Sequence, residues 1–202
     1  MRSRGRPRSF DREAALARAT CLFWRKGYEA TSIADLTEAM GIGSPSLYAA
    51  FGSKEALYVE ALGHYAENYD GVVWGRFRAA PSAREAVRAF LLDSAEALTG
   101  TPGGTPTGCM VTLSSVSDGQ CDLSARMRAA RTTTLDRLEA RLRDAIAEGE
   151  LAPGLDVHGL ARFVQTVQSG MSILARDGAA QADLEAAAEI AMLGWDARTA
   201  RA

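Results

Sequence analysis

The chain has 202 residues, of which 47% are hydrophobic and 24% charged, and a formal net charge of −2. That size fits one large domain or two small ones, and the balance is ordinary for a soluble globular protein. No apolar run approaches the ~18 residues of a membrane span, and the arginine-rich start lacks the apolar block of a secretory signal, so no membrane partner and a cytoplasmic location are expected.

Charge is uneven along the chain. Residues 1–54 carry nine Arg or Lys against five Asp or Glu, a balance of +4, and the remainder balances to −6. A basic head on an acidic body predicts that the head meets a polyanion. The arm itself, "RSRGRPR" from Arg2 to Arg8, places Arg4 and Arg6 ahead of the first periodic segment.

Nearly every periodic segment then reads as helix. Phe10, Ala14, Leu16, Ala17, Cys21 and Trp24 recur near 3.6-residue spacing and predict a helix from Ser9 to Arg25, stopped by Gly27. A shorter helix follows from Ser32 to Met40, capped by Thr31 or Ser32 and ended by Gly41. A third runs from Ser44, read as its cap, through Pro45 to about Phe51. Ser53 caps a fourth, which carries His64, Glu67 and Asp70 as a polar row read as a solvated face. Ser82 and Glu85 form a capping-box pattern opening a helix through Leu98. Thr99 to Gly108 is a loop by composition. The segment "CMVTLSSVS" suits either a strand or a short buried helix. Leu123 to Ile146 marks a long amphipathic helix, Asp156 caps the next, and a last helix runs from about Gln181 to Trp195.

No chemistry-bearing motif accompanies this pattern. Cys21, Cys109 and Cys121 are too few for a disulfide framework, and His64 and His158 lie far from them, so neither a metal nor a cofactor is expected. No nucleophile elbow and no P-loop occur, which leaves an enzyme reading without support.

Two short helices separated only by Gly41-Ile42-Gly43 describe a helix-turn-helix. Ile33, Leu36, Met40, Ile42, Leu47 and Phe51 can form a small core with the first helix. Ser44, Pro45, Ser46 and Ala49 are then left outside, a slim face suited to a major groove ~12 Å wide. Hydroxyls of Ser44 and Ser46 can reach base edges or phosphates, Tyr48 and Lys54 can meet phosphates at the edges, and the helix N-termini at Ser32 and Ser53 can add backbone donors.

The stretch "TSIADLTEAMGIGSPSLYAAFGSKEAL", Thr31 to Leu57, resembles the DNA-binding signature of the TetR family of bacterial transcription regulators, and "FDREAALARATCLFWRKGYEATS" before it resembles that family's first helix. The resemblance implies an all-α fold of nine helices: a DNA-binding head over 1–52, and a ligand-binding and dimerisation body over 53–202. It reads "CMVTLSSVS" as helix, and Gly108-Cys109 resembles one large subgroup. It implies a homodimer on a double-stranded DNA operator, usually a repressor released by a small-molecule effector. Carried over by position, Thr31, Ser44, Pro45, Ser46, Tyr48 and Lys54 are the expected DNA contacts. Ala49-Ala50 departs from the larger or basic residues common there. Arg4 and Arg6 sit in Arg-Gly-Arg-Pro, which resembles a minor-groove A·T hook. Trp74, Phe77, Phe90, Cys109, Met110, Leu113, Phe163 and Met171 are candidate effector-pocket residues, although the same residues also suit plain core. Phe163, Val167, Gly170, Leu174, Ala191 and Trp195 on the last two helices are the expected dimer contacts. Two rivals share the fold: an activator, and a regulator sensing oxidants or electrophiles through Cys109 or Cys121.

Overall fold

A computed structural model describes residues 10–100, 104–114 and 121–200. Arg4 and Arg6, and the last three residues of "CMVTLSSVS", lie outside the described residues. The fold is all-α, with nine helices and no strand among the described residues: α1 Arg12–Lys26, α2 Ile33–Met40, α3 Ser44–Phe51, α4 Lys54–Ala79, α5 Ala83–Thr99, α6 Met110–Leu113, α7 Cys121–Ala147, α8 Val157–Arg176 and α9 Gln181–Thr199.

Local chemistry sets the boundaries. Asp11 caps α1, its carboxylate accepting from the N–H groups of Glu13 and Ala14 at 3.0 and 3.1 Å, so the helix starts at Arg12. Gly41 ends α2 in the left-handed region at φ 68°, which frees the chain to turn within three residues. α3 begins one position earlier than expected. Gly43 is its extended N-cap and Ser44 its first residue, so the Ser44 side chain is not used in capping. The ambiguous segment is helical for one turn, Met110–Leu113, with Cys109 as N-cap.

Two cores share α4. The head core joins Ala15, Ala19 and Phe23 of α1 to Leu36, Met40, Leu47 and Phe51 of the helix-turn-helix, and takes in Leu57, Tyr58, Ala61 and Tyr65 of α4. Each large side chain buried there contributes about 1.5–3 kcal/mol of transfer free energy. Met110, Leu123 and Met127 from α6 and α7 belong to the same cluster, so the hydrophobic packing crosses the expected boundary between head and body. The second core, under α5, α7, α8 and α9, is built from residues such as Phe90, Leu138, Val164 and Trp195.

A polar joint supplements this packing. Trp24 on α1 donates its indole N–H to the Gly108 carbonyl at 2.8 Å. The Cys109 N–H goes to Ser172 Oγ of α8 at 2.8 Å. Arg176, at the end of α8, donates to the Trp24 and Arg25 carbonyls at 2.9 and 3.1 Å. Gly108 adopts φ 76°, and a Cβ there would run into the Leu113 side chain and lie 2.8 Å from the Ser172 carbonyl. Gly108→Ala is therefore expected to lower the unfolding free energy by at least ~1 kcal/mol, whereas Gly63→Ala, in mid-α4 with open space around it, should raise it by ~0.5–1 kcal/mol. Urea unfolding of the two variants checks the pair.

Candidate nucleic-acid interface and cavity

The head presents α3 outward. Leu47 and Phe51 are buried, and this fixes the phase of the helix. Ser44, Pro45, Ser46, Tyr48 and Ala49 are all exposed as a result, Tyr48 to 48%. The Ser44, Ser46 and Tyr48 hydroxyls form no hydrogen bond among the described residues, so their donors and acceptors are available to a ligand. Arg12 braces the far end of α3: its guanidinium lies 4.4 Å from the Phe51 ring centroid, donates to the Ala50 carbonyl at 3.3 Å and pairs with Glu60 at 2.7 Å. Arg18 reaches the Met40 carbonyl at 3.3 Å and steadies the turn before α3.

Several expected contacts lie elsewhere. Thr31 is fully buried, and its hydroxyl donates to the Gly27 carbonyl at 2.6 Å. It closes the α1–α2 turn and has no surface to offer DNA. The N-terminus of α2 is also taken. Ser32 and Asp35 form a reciprocal capping box, and Lys26 pairs with Asp35 at 2.9 Å. Hydrogen bonds from Ser32 and Lys26 hold the Asp35 carboxyl far below the usual carboxylate range. Two of the backbone donors at that helix end are thereby taken within the chain, and a carboxylate stands beside the others. Ser53 caps α4 by accepting from the Ala56 N–H at 3.0 Å. Lys54 is half-buried, with its ammonium 4.3 Å from the Tyr28 ring centroid, so a cation–π contact orients it.

The body holds a cavity of about 230 Å³ between α4, α5, α7 and α8. Trp74, Phe90 and Cys109 line it, as expected. Phe77, Met110 and Met171 do not. They are buried in the cores, because an inward-facing aromatic or methionine fills packing space unless a gap is left opposite it. Leu113 packs on the Gly108 backbone instead, and Phe163 is 41% exposed on the outside of α8. The polar row on α4 is a solvated face only in part: Glu67 is exposed, but Asp70 lines the cavity and pairs with Arg78 at 2.7 Å and with Arg137 of α7. Those partners hold its carboxyl below the ordinary value. Burial pushes the Tyr65 phenol well up and that of Tyr69 up to about 12, so both face the cavity as neutral groups.

Residues 15–61 match the profile of bacterial regulatory proteins, tetR family. Over 187 residues the chain is 38% identical to the HTH-type transcriptional repressor ComR of Escherichia coli (strain K12), covering 88% of this chain and 85% of that protein. The chain belongs to the TetR family. The HTH-type transcriptional repressor BdcR of the same organism is 32% identical over 176 residues, 86% of this chain and 83% of that one. Among solved structures, a cysteine mutant of the TetR-family regulator CifR complexed with 26-base-pair double-strand operator DNA superposes with a TM-score of 0.88 at 39% identity, over 95% of this chain and all of that one.

Within this TetR-family fold the outer face of α8 and α9 is apolar. Phe163 and Leu174 lie on it, while Val167 and Gly170 are half-buried beside them. Ala191 and Trp195 do not: both are buried in the chain's own core, Trp195 to 1% exposure, out of a partner's reach. Ile173, Ile190 and Leu193, 52%, 68% and 69% exposed, belong to the face and escape the sequence reading. The signal for them is the phase of α9, since Leu184, Ala188, Ala191, Met192 and Trp195 form one stripe and Ile190 and Leu193 fall opposite it. Thr31→Val should cost about 1 kcal/mol of stability, through removal of the hydroxyl bond, and leave duplex affinity per folded molecule unchanged. Thermal unfolding and anisotropy titrations on the same preparation test this.

Proposed function

We propose that this regulator is a homodimeric repressor that grips a pseudo-palindromic operator and lets go when a small molecule occupies the cavity in the body. The observation that carries the reading is the exposed row Ser44, Pro45, Ser46 and Tyr48 on a short helix whose opposite face is locked into the head core. Small side chains let the helix sit deep in a major groove. Pro45 and Ala49 can pack on thymine methyl groups, the serines reach polar edges, and Tyr48 and Lys54 serve the phosphate rails. The operator complex of CifR, alike over nearly the whole chain, supports the same use of this head. The repressor reading is preferred to an activator because ComR and BdcR, the two E. coli relatives above, are named repressors. It is preferred to a thiol sensor because Cys109 is half-buried in the cavity wall, where its sulfur accepts a hydrogen bond from the Tyr65 hydroxyl at 3.3 Å.

Dimerisation follows from the apolar face. Five large hydrophobic side chains on two adjacent helices, Phe163, Ile173, Leu174, Ile190 and Leu193, are well exposed. A second copy would bury them as a four-helix interface about a twofold axis. Two heads then meet half-sites a helical turn or a multiple apart, about 34–36 Å per turn. Release comes from unequal affinity of the effector for two head arrangements. Both routes to the head begin at the cavity wall, one along α4 from Tyr65 and Tyr69 to Lys54, the other from Cys109 through Gly108 to Trp24.

Selection of bound sequences from random duplex should recover an inverted repeat; recovery of no preferred sequence overturns the reading. Tyr48→Phe should weaken binding ~5-fold at all sequences alike, as removal of a phosphate hydrogen bond does. The double variant Ile190→Asp, Leu193→Asp should run as a monomer by light scattering and lose operator binding. Removing residues 1–8 should flatten the salt dependence by about 0.9 in log–log slope for each phosphate that the arm neutralises.

A further inference from the structure

The cavity wall is chemically divided. α4 and α5 supply rings: Tyr65 stacks on Tyr69 at 4.5 Å between centroids, and Trp74 lies against Phe90 at 4.6 Å. α7 and α8 supply polar groups, chiefly Arg131, Arg137, Gln165 and Gln168. Charge is not balanced across the two sides. Asp70 is the only acid in the lining among the described residues, and Arg78 and Arg137 already share it. Arg137 is further fixed with its guanidinium 5.0 Å from the Trp74 ring centroid.

Arg131 differs from Arg137. It has no carboxylate partner among the described residues. One of its nitrogens donates to the Val111 and Ser114 carbonyls, both at 3.4 Å, beyond the usual 2.7–3.2 Å range. Gln165 holds the Arg131 backbone carbonyl at 2.9 Å, so the residue is anchored while its head is underused. A half-buried guanidinium offers five donors in a planar fork, and most of that capacity is unspent here. A second observation is independent of charge. Ser94 of α5 lines the cavity, is fully buried, and its hydroxyl has no hydrogen-bond partner. Buried hydroxyls are normally satisfied, so an orphan on a cavity wall points to an occupant that satisfies it.

We propose that the effector is a small aryl carboxylate. Its carboxylate takes the free fork of Arg131, its ring lies among Tyr65, Tyr69, Trp74 and Phe90, and Ser94 bonds a polar atom of the ligand. The proposal rests on the effector reading above and names the class of molecule. At about 230 Å³ the space is below the ~300–1,000 Å³ of drug-sized sites, which limits the ligand to one ring and a short side chain. A neutral hydrocarbon would leave Arg131 and Ser94 unsatisfied. A cation would meet a lining in which arginine outnumbers acid.

The test uses benzoate, phenylacetate, 3-phenylpropionate and 4-hydroxybenzoate, each beside its primary amide. Calorimetry measures binding to the full chain, and anisotropy measures release of labelled operator. At least one acid should bind and release the operator, with its amide ~10–100-fold weaker, as removal of a charge-assisted hydrogen bond predicts. Arg131→Gln should abolish that preference while leaving operator affinity without ligand unchanged; Arg131→Lys, which keeps the charge, should retain part of it. Amides equal to acids in binding and release would overturn the anionic class and leave the effector cavity standing. Equal acid binding by wild type and Arg131→Gln would assign Arg131 to capping α6 and overturn the proposal, as would failure of every acid to bind. Operator recognition is decided separately by the random-duplex selection.

Discussion

One buried hydrogen bond pins the packing of the head against the body. The indole N–H of Trp24 and the carbonyl of Gly108 are 84 positions apart in sequence and meet at 2.8 Å in a buried interface. Separating them would leave two orphaned polar groups away from water, at about 1–3 kcal/mol each. The surrounding bonds make the arrangement tighter. The Gly108 N–H is spent on the Leu98 carbonyl at 2.7 Å and the Cys109 N–H on Ser172. Arg176 then reaches from the end of α8 to the last carbonyls of α1, where the negative end of the helix dipole favours a cation. Burial lowers the pKa of that arginine, yet it keeps its charge. The end of α1 is thereby tied to the point where α5 and α8 hold Gly108, in addition to its packing on α4.

The cavity lies against this joint. Cys109 and Ser169 line it, one residue from Gly108 and three from Ser172. A typical internal hydrogen bond is worth about 0.5–1.5 kcal/mol net, and 1.4 kcal/mol is about a tenfold change in an equilibrium. An effector that trades against one or two joint bonds would therefore change operator affinity by about ten- to a hundredfold, the usual scale of allosteric coupling. Linkage makes this reciprocal: the operator must weaken effector binding by the same factor. In the dimer proposed above no large rearrangement would be needed for such an effect, because two heads would read half-sites at fixed separation and a small tilt at each joint would add across the twofold axis.

What the sequence discloses about this machinery is local in origin. The helix-turn-helix is legible because Gly41 and the apolar phase of Leu36, Met40, Leu47 and Phe51 act within a few residues. The outward face of α3 follows from that phase. Thr31 misleads because a threonine before a helix suits a cap as well as a phosphate contact, and its bond to Gly27 depends on how α1 meets the turn. Ser32 reads as a cap, but its reciprocal partner Asp35, three residues on, goes unread, so the full capping box stays hidden. Asp70 is misplaced for a different reason. Its partner Arg137 is 67 residues away, and no periodicity on α4 reports what α7 brings against it. The split of Phe77, Met110 and Met171 from Trp74 and Phe90 has the same cause: core and cavity walls share a composition and differ only in whether something stands opposite.

α8 shows why the functions are hard to separate in such a fold. Leu160, Val164 and Met171 face the core, Gln165, Gln168 and Ser169 face the cavity, and Phe163, Ile173 and Leu174 face outward. Ser172 and Arg176 add the joint at its C-terminal end. With 3.6 residues per turn, one rod carries four surfaces, and a rigid helix cannot move one of them alone. In the mode of action proposed above, an occupant pressing on Gln165 and Gln168 would act on the α1 joint and on the apolar face in the same displacement. Gly170 on α8 and Gly194 on α9 keep that outer face low, and even a Cβ at Gly194 would come no nearer the Phe163 ring than 3.8 Å, so the face leaves room for close approach of another backbone.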